Sequence, residues 1–530
     1  MLKNKPFYYR KVLLATLLFI ITAGGLSLYT SVTSQAVNNS ILLQYSNKQS
    51  SDNRLVLIID RIKCKLFAIF GKNCGQIPNP VLSGQGLTLN QAKTLYKNMN
   101  SEEKQTARAC AVREIGYDGL QKIVEDIKQG SVGEDTLNIV IGCLQDVKNS
   151  QQTAAAFSKG YEGELVKPAV RNPNRWAVAR CNDGSPFAFK IEKPISNKTD
   201  NWVIYFQGGG LCDDNALSCA ERSKDTPSII TTLPGSDGRK YQVIGNQGIF
   251  NHDPQINPFF YNANKVYAHY CSSDVWSGST STLHQTSAGR WYFSGRINAR
   301  AMFEILKEQY GLDDSNQNTK IILTGGSAGC MGANVNAEQA IQFLPNTAIA
   351  GRLKLVSDGC YIPNFNNPNY PLGNSDDSIR EAIIQAYSFW NSSINSKCES
   401  DQRKIGQAPG SCFMGSVLYP YLTECGNKGL CLPNLVQYSS IDHWAVTTHN
   451  INPKASSANI VLEEWRNVTL NELANGKINW LFSGGEISYH TLLMKDIGWK
   501  YGPKGGPTFG ELVNSFWEEE APQRIIFGNP

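Results

Sequence analysis

The sequence predicts an α/β protein whose mostly parallel sheet is flanked by helices and preceded by a small helical N-terminal region. Three observations support this prediction. Apolar residues make up 41% of the 530 residues and charged residues 18%, the composition of a folded chain. From about residue 171, short apolar runs alternate with glycine-rich turns and amphipathic stretches, which is typical of parallel strands joined by helices. One of these runs ends in a Gly-x-Ser-x-Gly motif, and a helical pattern follows it.

The first residues predict export. Four basic residues lie within the first eleven positions, and residues 12–32 carry no charge. Ser34 and Ala36 then place small residues where a signal peptidase cleaves. The uncharged stretch also reaches the length of about 20 residues that a membrane-spanning helix needs. Residues 1–36 are therefore predicted to be a signal peptide or a membrane anchor of a secreted, periplasmic or extracellular protein.

Charge and cysteine spacing exclude several classes of partner. The formal net charge of +5 is spread over a long chain without a basic block, so no nucleic-acid partner is expected. The 14 cysteines form no Cys-x-x-Cys pair, and no His-Glu-x-x-His occurs, so no metal site is predicted. Export favours disulfides instead. Cys212/Cys219 and Cys425/Cys431 are close enough to bridge local loops, but the connectivity stays open at this point.

Residues 37–170 are predicted to form a helical region of their own. After a polar start, apolar residues recur at a spacing of three to four over 89–96, 102–115, 120–127 and 136–147. Four cysteines in this region could close two bridges. No residue in it suggests chemistry, so we expect it to be dispensable for catalysis and place the domain boundary at residue 171.

The second domain, residues 171–530, is predicted to alternate strands and helices. Its apolar runs predict strands over 201–206, 265–270, 320–323, 352–356, 434–438 and 478–482, and helices over 294–310 and 328–344.

The motif Gly325-Gly326-Ser327-Ala328-Gly329 lies between a predicted strand and a predicted helix. A sharp turn there would lift the Ser327 hydroxyl above the carboxyl edge of the sheet, and glycines on both sides would avoid steric clashes in the turn. The alternative is a glycine turn whose serine only caps the helix. A nucleophilic serine also needs a histidine base and a carboxylate that orients it.

Strand order predicts the partners of Ser327. In the α/β-hydrolase order the acid and then the histidine follow the serine. Of the three later histidines, His490 follows the last apolar strand and is the predicted base, whereas His443 and His449 follow the strand before it. Asp442, after strand 434–438, is the predicted acid. Asp358, after strand 352–356, is the alternative acid or a pocket residue.

Gly208-Gly209-Gly210 follows the predicted strand 201–206. Glycine loops at this place can aim backbone N–H groups at a developing oxyanion. A tight turn beside Cys212 is the simpler alternative. A phosphate-binding loop is excluded because no Lys-Ser/Thr pair follows.

Several blocks resemble the pectin acetylesterase/Notum family of secreted carboxylesterases over about residues 181–490. The most specific is YCSSDVWSG at 270–278; the others are CNDGSP at 181–186, residues 202–212, the Ser327 motif, SDG at 357–359 and SSIDHW at 439–444. This resemblance implies Ser327 as nucleophile, Asp442 as acid and His490 as base. It also implies oxyanion amides from Gly209, Gly210 and Ala328, and the disulfides Cys212–Cys219 and Cys181–Cys271.

The chain also departs from the family pattern. Gly210-Leu211 stands where family members usually carry tryptophan after the glycine pair, which leaves the acyl group open. The motif around the serine reads GGSAGC rather than GSSAGG.

We therefore expect an exported serine carboxylesterase that works through an acyl-enzyme and needs no metal or organic cofactor. Its expected substrate is an acylated glycan, protein or lipid that carries an O-acetyl or longer acyl group. Two alternatives stay open: a lipase or lysophospholipase of the same fold, and a catalytically silent surface-binding protein built on a hydrolase scaffold.

Overall fold

The computed structural model describes two parts of the chain. These are residues 89–99, 137–145 and single positions between 104 and 126, and then residues 162–194, 199–215, 218–225, 241–242, 246–364, 379–424, 430–439, 442, 458–484, 490–519 and 522–527. The predicted signal peptide or anchor lies outside these residues, as do Cys64, Cys74, His443 and His449. No helix in the described part of the chain is long and apolar enough to cross a membrane.

Strands alternate with helices along the main part of the chain. The strands are β1 (Glu162–Val166), β2 (Phe189–Glu192), β3 (Asn201–Phe206), β4 (Tyr241–Gln242), β5 (Asn264–Ala268), β6 (His284–Thr286), β7 (Gly289–Trp291), β8 (Lys320–Gly326), β9 (Leu353–Asp358), β10 (Asn434–Tyr438), β11 (Trp480–Gly484) and β12 (Arg524–Phe527).

The helices are α1 (Leu89–Asn98), α2 (Pro168–Arg171), α3 (Pro173–Trp176), α4 (Cys219–Asp225), α5 (Gly295–Gln309), α6 (Ala328–Val335), α7 (Ala337–Phe343), α8 (Pro345–Ile349), α9 (Ile379–Phe389), α10 (Ser396–Lys404), α11 (Gly415–Thr423), α12 (Ala458–Asn475), α13 (Asp496–Trp499) and α14 (Phe509–Trp517). Residues 137–145 are also helical. Short 3-10 helices span Gly248–Phe250 and Pro409–Phe413.

Ten of the strands form one sheet in the order β12-β11-β10-β9-β8-β3-β5-β2-β1-β4. The strands from β12 to β5 in this order are parallel, and β2, β1 and β4 add antiparallel pairs at one side. β6 and β7 form a separate hairpin. The mostly parallel sheet flanked by helices confirms the predicted fold class.

The central strands are buried along almost their whole length because helices cover both faces of a parallel sheet. Every residue of β9 and β10 is buried. One apolar cluster includes Ile204 and Leu323, and a second includes the neighbouring Val203 and Ile322, so successive residues face opposite clusters. This arrangement fixes the carboxyl ends of β3, β8, β9 and β10 next to one another.

Two differences from the predicted elements concern the domain boundary and the helix that follows Ser327. β1 lies before the predicted boundary at residue 171, yet it pairs with β2 and β4 inside the sheet, so the sheet domain begins at or before Glu162. The predicted helix over 328–344 is two helices, α6 and α7, which meet at Asn336. The Asn336 side chain donates to the Gly332 carbonyl, the kind of local bond by which asparagine competes with helical hydrogen bonding.

Candidate active site

Ser327 occupies a tight turn between β8 and α6. Its backbone has φ 56° and ψ −128°, a conformation that is costly for any residue other than glycine. The flanking glycines are required by close packing, because a Cβ at Gly329 would lie 2.0 Å from the Phe206 carbonyl oxygen. The Ser327 N–H donates to the Asp358 carbonyl at 3.0 Å, which links this turn to the end of β9.

His490 and Asp442 form a close pair. His490 Nδ1 lies 2.7 Å from Asp442 Oδ2. The Asp442 side chain is fully buried, whereas 24% of the His490 side chain is exposed. His490 and Ser327 line the same cavity. The structure therefore brings the three predicted side chains together, although 48 residues separate the histidine from the aspartate.

The Asp358 carboxylate binds the backbone that follows His490. Oδ1 accepts from the Leu492 N–H at 2.9 Å, and Oδ2 accepts from the Leu493 N–H at 2.9 Å. Burial raises the pKa of Asp358 to about 6, against these two hydrogen bonds and the nearby His490, which lower it. Through its own carbonyl and its carboxylate, Asp358 joins the Ser327 turn to the His490 segment.

Gly359 makes this junction possible. Its φ is +73°, and a Cβ on it would lie 2.1 Å from the His490 carbonyl oxygen. The His490 backbone therefore packs directly on the chain that leaves β9. Two residues of the SDG block at 357–359 therefore have structural roles. Asp358 binds the backbone that follows His490, and Gly359 lets the His490 backbone pack against it.

Two of the three predicted oxyanion residues line the same cavity. Gly209 and Gly210 have φ of +141° and +80°, and both Gly210 and Ala328 line the cavity. Gly208 packs on the serine turn, since a Cβ there would lie 2.2 Å from the Gly326 carbonyl oxygen. Two glycine segments from neighbouring strands, β3 and β8, thus meet at the serine.

The glycine loop is held by the block at 270–278. Trp276 Nε1 donates to the Gln207 carbonyl at 3.1 Å, and the Cys212 N–H donates to the Ser273 carbonyl at 3.2 Å. The buried Arg222 donates through Nε to Ser273 Oγ at 3.2 Å. These contacts fix the loop from both ends of its glycine run.

Asp274 organises the block itself. Its carboxylate accepts from Ser272 Oγ, from the Trp276 N–H and from the Gly295 N–H, at 2.6, 3.0 and 2.8 Å. It is completely buried, and burial raises its pKa to about 6. Ser273, Val275 and Trp276 all have positive φ. The resemblance of this block to the family assigns no role to Asp274; the signal in the sequence is a lone aspartate between an apolar strand and Val275-Trp276.

The cavity beside Ser327 has an empty volume of about 450 Å³, including the part open to solvent. Its walls are mainly apolar and include Leu211, Met331, Ile362, Ile383 and Trp465. The disulfide Cys330–Cys360, which no pattern in the sequence predicted, ties α6 to the segment after β9 and contributes Cys360 to the wall.

Five disulfides have both cysteines in the described residues. Cys181–Cys271 and Cys212–Cys219 are the two that the family resemblance implied, and both are present. Cys110–Cys143, Cys330–Cys360 and Cys398–Cys412 complete the set. Such a set fits a protein of an oxidising compartment. The described residues contain no group of three or more His, Cys, Asp or Glu side chains arranged to hold a metal ion.

A family model and individual relatives relate this chain to the same group of esterases. The pectinacetylesterase family model matches residues 164–479, more than half of the chain. The palmitoleoyl-protein carboxylesterase NOTUM of Drosophila melanogaster is 30% identical over 245 residues, which cover 46% of this chain and 34% of that protein. Pectin acetylesterase 11 of Arabidopsis thaliana is 32% identical over 273 residues, 51% of this chain and 61% of the relative. The first relatives are thus matched over less than two thirds of their length.

The fold has a counterpart among solved structures. A crystal structure of the Wnt deacylase Notum from Drosophila superposes with a TM-score of 0.53 at 22% identity, covering 66% of this chain and 93% of that one. His490 lies beyond the residues that the family model matches. Its place in the site therefore depends on the 2.7 Å contact with Asp442 and on the shared cavity with Ser327.

Proposed function

Because the chain belongs to the pectinacetylesterase family, we propose that it is an exported serine carboxylesterase that removes an acyl group from a glycan, a protein or a lipid. The observation that supports this most directly is the common cavity. Ser327, on its strained turn, and His490, paired with a buried Asp442, both line it. The disulfides support export.

The proposed reaction proceeds in two displacements. With Nδ1 bonded to Asp442, His490 takes the Ser327 hydroxyl proton at Nε2, and the serine oxygen attacks the ester carbonyl carbon. The tetrahedral intermediate collapses, its C–O bond to the alcohol breaks, and His490 returns the proton to the departing alcohol. Water, deprotonated by His490, then attacks the acyl-enzyme and releases the acid and Ser327.

The negative charge on the oxygen of each tetrahedral intermediate is stabilised by hydrogen-bond donors that are already in position. The N–H groups of Gly209, Gly210 and Ala328 are the proposed donors, since Gly210 and Ala328 line the cavity and the loop is fixed by the 270–278 block. Losing one such donor typically costs about 3 to 4 kcal/mol of transition-state stabilisation. Because these donors are backbone N–H groups, this part of the site depends on the glycine backbone conformation and not on side-chain donors.

The cavity walls favour an alkyl chain over a polar group. Leu211, Met331, Ile362, Ile383 and Trp465 offer no charge to the acyl portion of the ester. The apolar lining also supports the lipase alternative, in which the alcohol portion is a lipid. One relative is named for removing acetyl groups from pectin and another for removing palmitoleoyl groups from protein. These two acyl groups mark the short and long ends of the proposed range of acyl sizes.

The test is hydrolysis of p-nitrophenyl acetate, butyrate and palmitate by the exported protein. Ser327→Ala is expected to lower kcat/KM by at least about a thousandfold. Ser315→Ala is the matched control because Ser315 is exposed on the loop that precedes β8, at the opposite end of the strand from Ser327. Wild-type protein without activity on any ester would favour the silent surface-binding alternative, and an active Ser327→Ala protein would reject the proposed nucleophile.

A further inference from the structure

The guanidinium group of Arg222 packs against the glycine loop that is proposed to bind the oxyanion. A Cβ added to Gly209 would lie 3.6 Å from Arg222 Nη2 and 3.8 Å from Nη1, which is ordinary van der Waals contact. Only 7% of Arg222 is exposed. Gly208, the residue before, packs on the serine turn, and Gly210, the residue after, lines the cavity beside Ser327. The guanidinium therefore lies buried next to the middle residue of this loop.

Three connections hold the Arg222 side chain in this place. Its Nε donates to Ser273 Oγ at 3.2 Å, and its Cζ lies 5.4 Å from the centre of the Tyr270 ring. The disulfide Cys212–Cys219 ties the first residue of α4, the helix that carries Arg222, to the end of the glycine loop. Helix α4 and the block that contains Ser273 and Tyr270 thus both hold the guanidinium near the loop.

The Arg222 charge acts on groups inside this buried region. Burial and the nearby Asp274 raise the pKa of the Tyr270 hydroxyl, whereas Arg222 lowers it. The Asp274 carboxylate is itself bonded by four neutral donors, which are Ser272 Oγ and the N–H groups of Trp276, Gly278 and Gly295. An arginine side chain is not deprotonated in a protein, so its positive charge is permanent. Charges interact more strongly in such surroundings than in water, because the effective dielectric constant is lower.

A permanent charge beside the glycine loop affects the two stages of the proposed reaction differently. The ester carbonyl is neutral when the substrate binds, and its oxygen becomes negative only as the tetrahedral intermediate forms. A positive charge that is already in place stabilises this oxygen without any reorganisation during the reaction. An interaction that is stronger in the transition state than in the bound substrate raises kcat and leaves KM nearly unchanged. Arg222 should therefore affect kcat.

We propose that Arg222 is a positioning residue of the oxyanion site. It holds Gly209 in place and adds a permanent positive charge next to the loop, while the backbone N–H groups remain the donors. This proposal rests on the proposed esterase function. It assigns part of the charge stabilisation to a buried side chain that acts on the oxyanion through Gly209.

The first measurement separates kcat from KM for p-nitrophenyl butyrate. Arg222→Met removes the charge and keeps most of the side-chain length, so it should lower kcat at least about tenfold and leave KM within about threefold of wild type. Arg222→Lys keeps the charge and should retain most of kcat. Arg222→Gln replaces Arg222→Met if the latter does not fold, as judged by circular dichroism.

Arg180→Met is the matched control. Arg180 also lies over a tyrosine ring, with its Cζ 5.0 Å from the centre of Tyr292, but it does not line the cavity beside Ser327. This variant likewise removes a guanidinium from an aromatic ring, yet it leaves the surroundings of Gly209 unchanged. It should keep kcat within about twofold of wild type.

The second measurement reports on the oxyanion itself. Ser327 Oγ should add to the carbonyl carbon of a trifluoromethyl ketone, with the π electron pair moving to the carbonyl oxygen and the serine proton to His490. Carbon-13 NMR of the labelled carbonyl at several pH values gives the pKa of the resulting hemiketal hydroxyl. We expect this pKa to be higher by at least about 1 in Arg222→Met and close to wild type in Arg222→Lys. A purely structural role of Arg222 would change the amount of adduct but not its pKa.

The two measurements separate failure of this proposal from failure of the esterase proposal. If wild type cleaves esters, an unchanged adduct pKa in Arg222→Met, or an equal rise in Arg222→Lys, would overturn the role of Arg222 and leave the esterase proposal standing. A wild type that neither cleaves esters nor forms the adduct would overturn the esterase proposal and the role of Arg222 with it.

Discussion

Two aspartates contact the His490 segment, and their surroundings differ in a way that separates their roles. Asp442 bonds the imidazole ring, whereas Asp358 bonds the backbone N–H groups of Leu492 and Leu493. In the reaction the ring becomes positively charged, so a carboxylate on Nδ1 stabilises it and fixes its tautomer. A carboxylate on the following backbone instead fixes where the ring lies.

We expect Asp442→Asn to lower kcat by about 10⁴, because an amide at Nδ1 favours the wrong tautomer. Asp358→Asn replaces one acceptor oxygen with an N–H group that faces backbone donors. It should cost about 1 to 3 kcal/mol in the free energy of unfolding and lower kcat far less. Urea unfolding and the separate values of kcat and KM for both variants provide the check. An inactive Asp358→Asn beside a nearly normal Asp442→Asn would assign the acid to the earlier strand.

The two glycines at the ends of β9 give a matched test of the His490 contact. Gly351 and Gly359 have φ of +69° and +73°, so alanine at either position pays about 1 to 2 kcal/mol for a left-handed conformation. No atom lies within 4 Å of a Cβ at Gly351, whereas a Cβ at Gly359 would overlap the His490 carbonyl. We expect only Gly359→Ala to lower kcat/KM strongly at a temperature where both variants are folded. Equal activities would show that the contact does not position His490.

At the scale of elements, the 270–278 block supports the proposed oxyanion loop through a buried charge. Asp274 has a pKa of about 6 in the folded chain against 3.8 for an unperturbed carboxyl. It therefore holds its proton more tightly when folded, and its contribution to stability is present below about pH 4 and is lost as the pH rises through about 6. Each pKa unit corresponds to about 1.4 kcal/mol.

The corresponding prediction compares wild type with Asp274→Asn, which does not titrate. The free energy of unfolding of wild type minus that of the variant should decrease as the pH rises from about 4 to about 6. Chemical denaturation at several pH values measures this difference, with Asp183→Asn as a control at an exposed position of the neighbouring block. A difference that grows with pH would mean that the hydrogen bonds to the carboxylate outweigh its burial.

The elements also show what the sequence could and could not predict. The bounds predicted for β3 and β10 agree with the structure to the residue, since mostly apolar runs mark strands buried on both faces. β1 and β2 were missed because they are short and carry charged residues such as Glu164 and Glu192. The bonds from Asp358 to Leu492 and from Asp274 to Gly295 join distant segments, and no local pattern encodes them.

At the scale of the whole molecule, the sheet unites all the catalytic candidates while the region before residue 160 contributes none of them. The described residues of that region have their own small apolar cluster, which includes Ala92, Met99 and Leu144, and their own disulfide, Cys110–Cys143. A region with its own cluster and crosslink does not need the sheet to bury its apolar side chains. The proposal that this region is dispensable for chemistry is therefore physically reasonable, provided that the cut leaves the sheet intact.

The residue at which a truncated chain begins decides whether the sheet stays intact, because β1 belongs to the sheet. Val166 is fully buried, and β1 bonds β2 on one side and β4 on the other. A chain that begins at residue 160 should keep kcat/KM within about twofold of the full-length protein, since no packed backbone of the sheet is removed. A chain that begins at residue 171 lacks β1, so the backbone N–H and C=O groups of β2 that bond β1 lose their partners. This chain should lose at least about 3 kcal/mol in the free energy of unfolding. Urea unfolding and p-nitrophenyl butyrate hydrolysis of the two truncated proteins separate the effects, because both lack the helical region and differ only in the segment that contains β1. Should the longer protein fold with full stability and yet be inactive, the helical region completes the active site and its proposed independence is wrong.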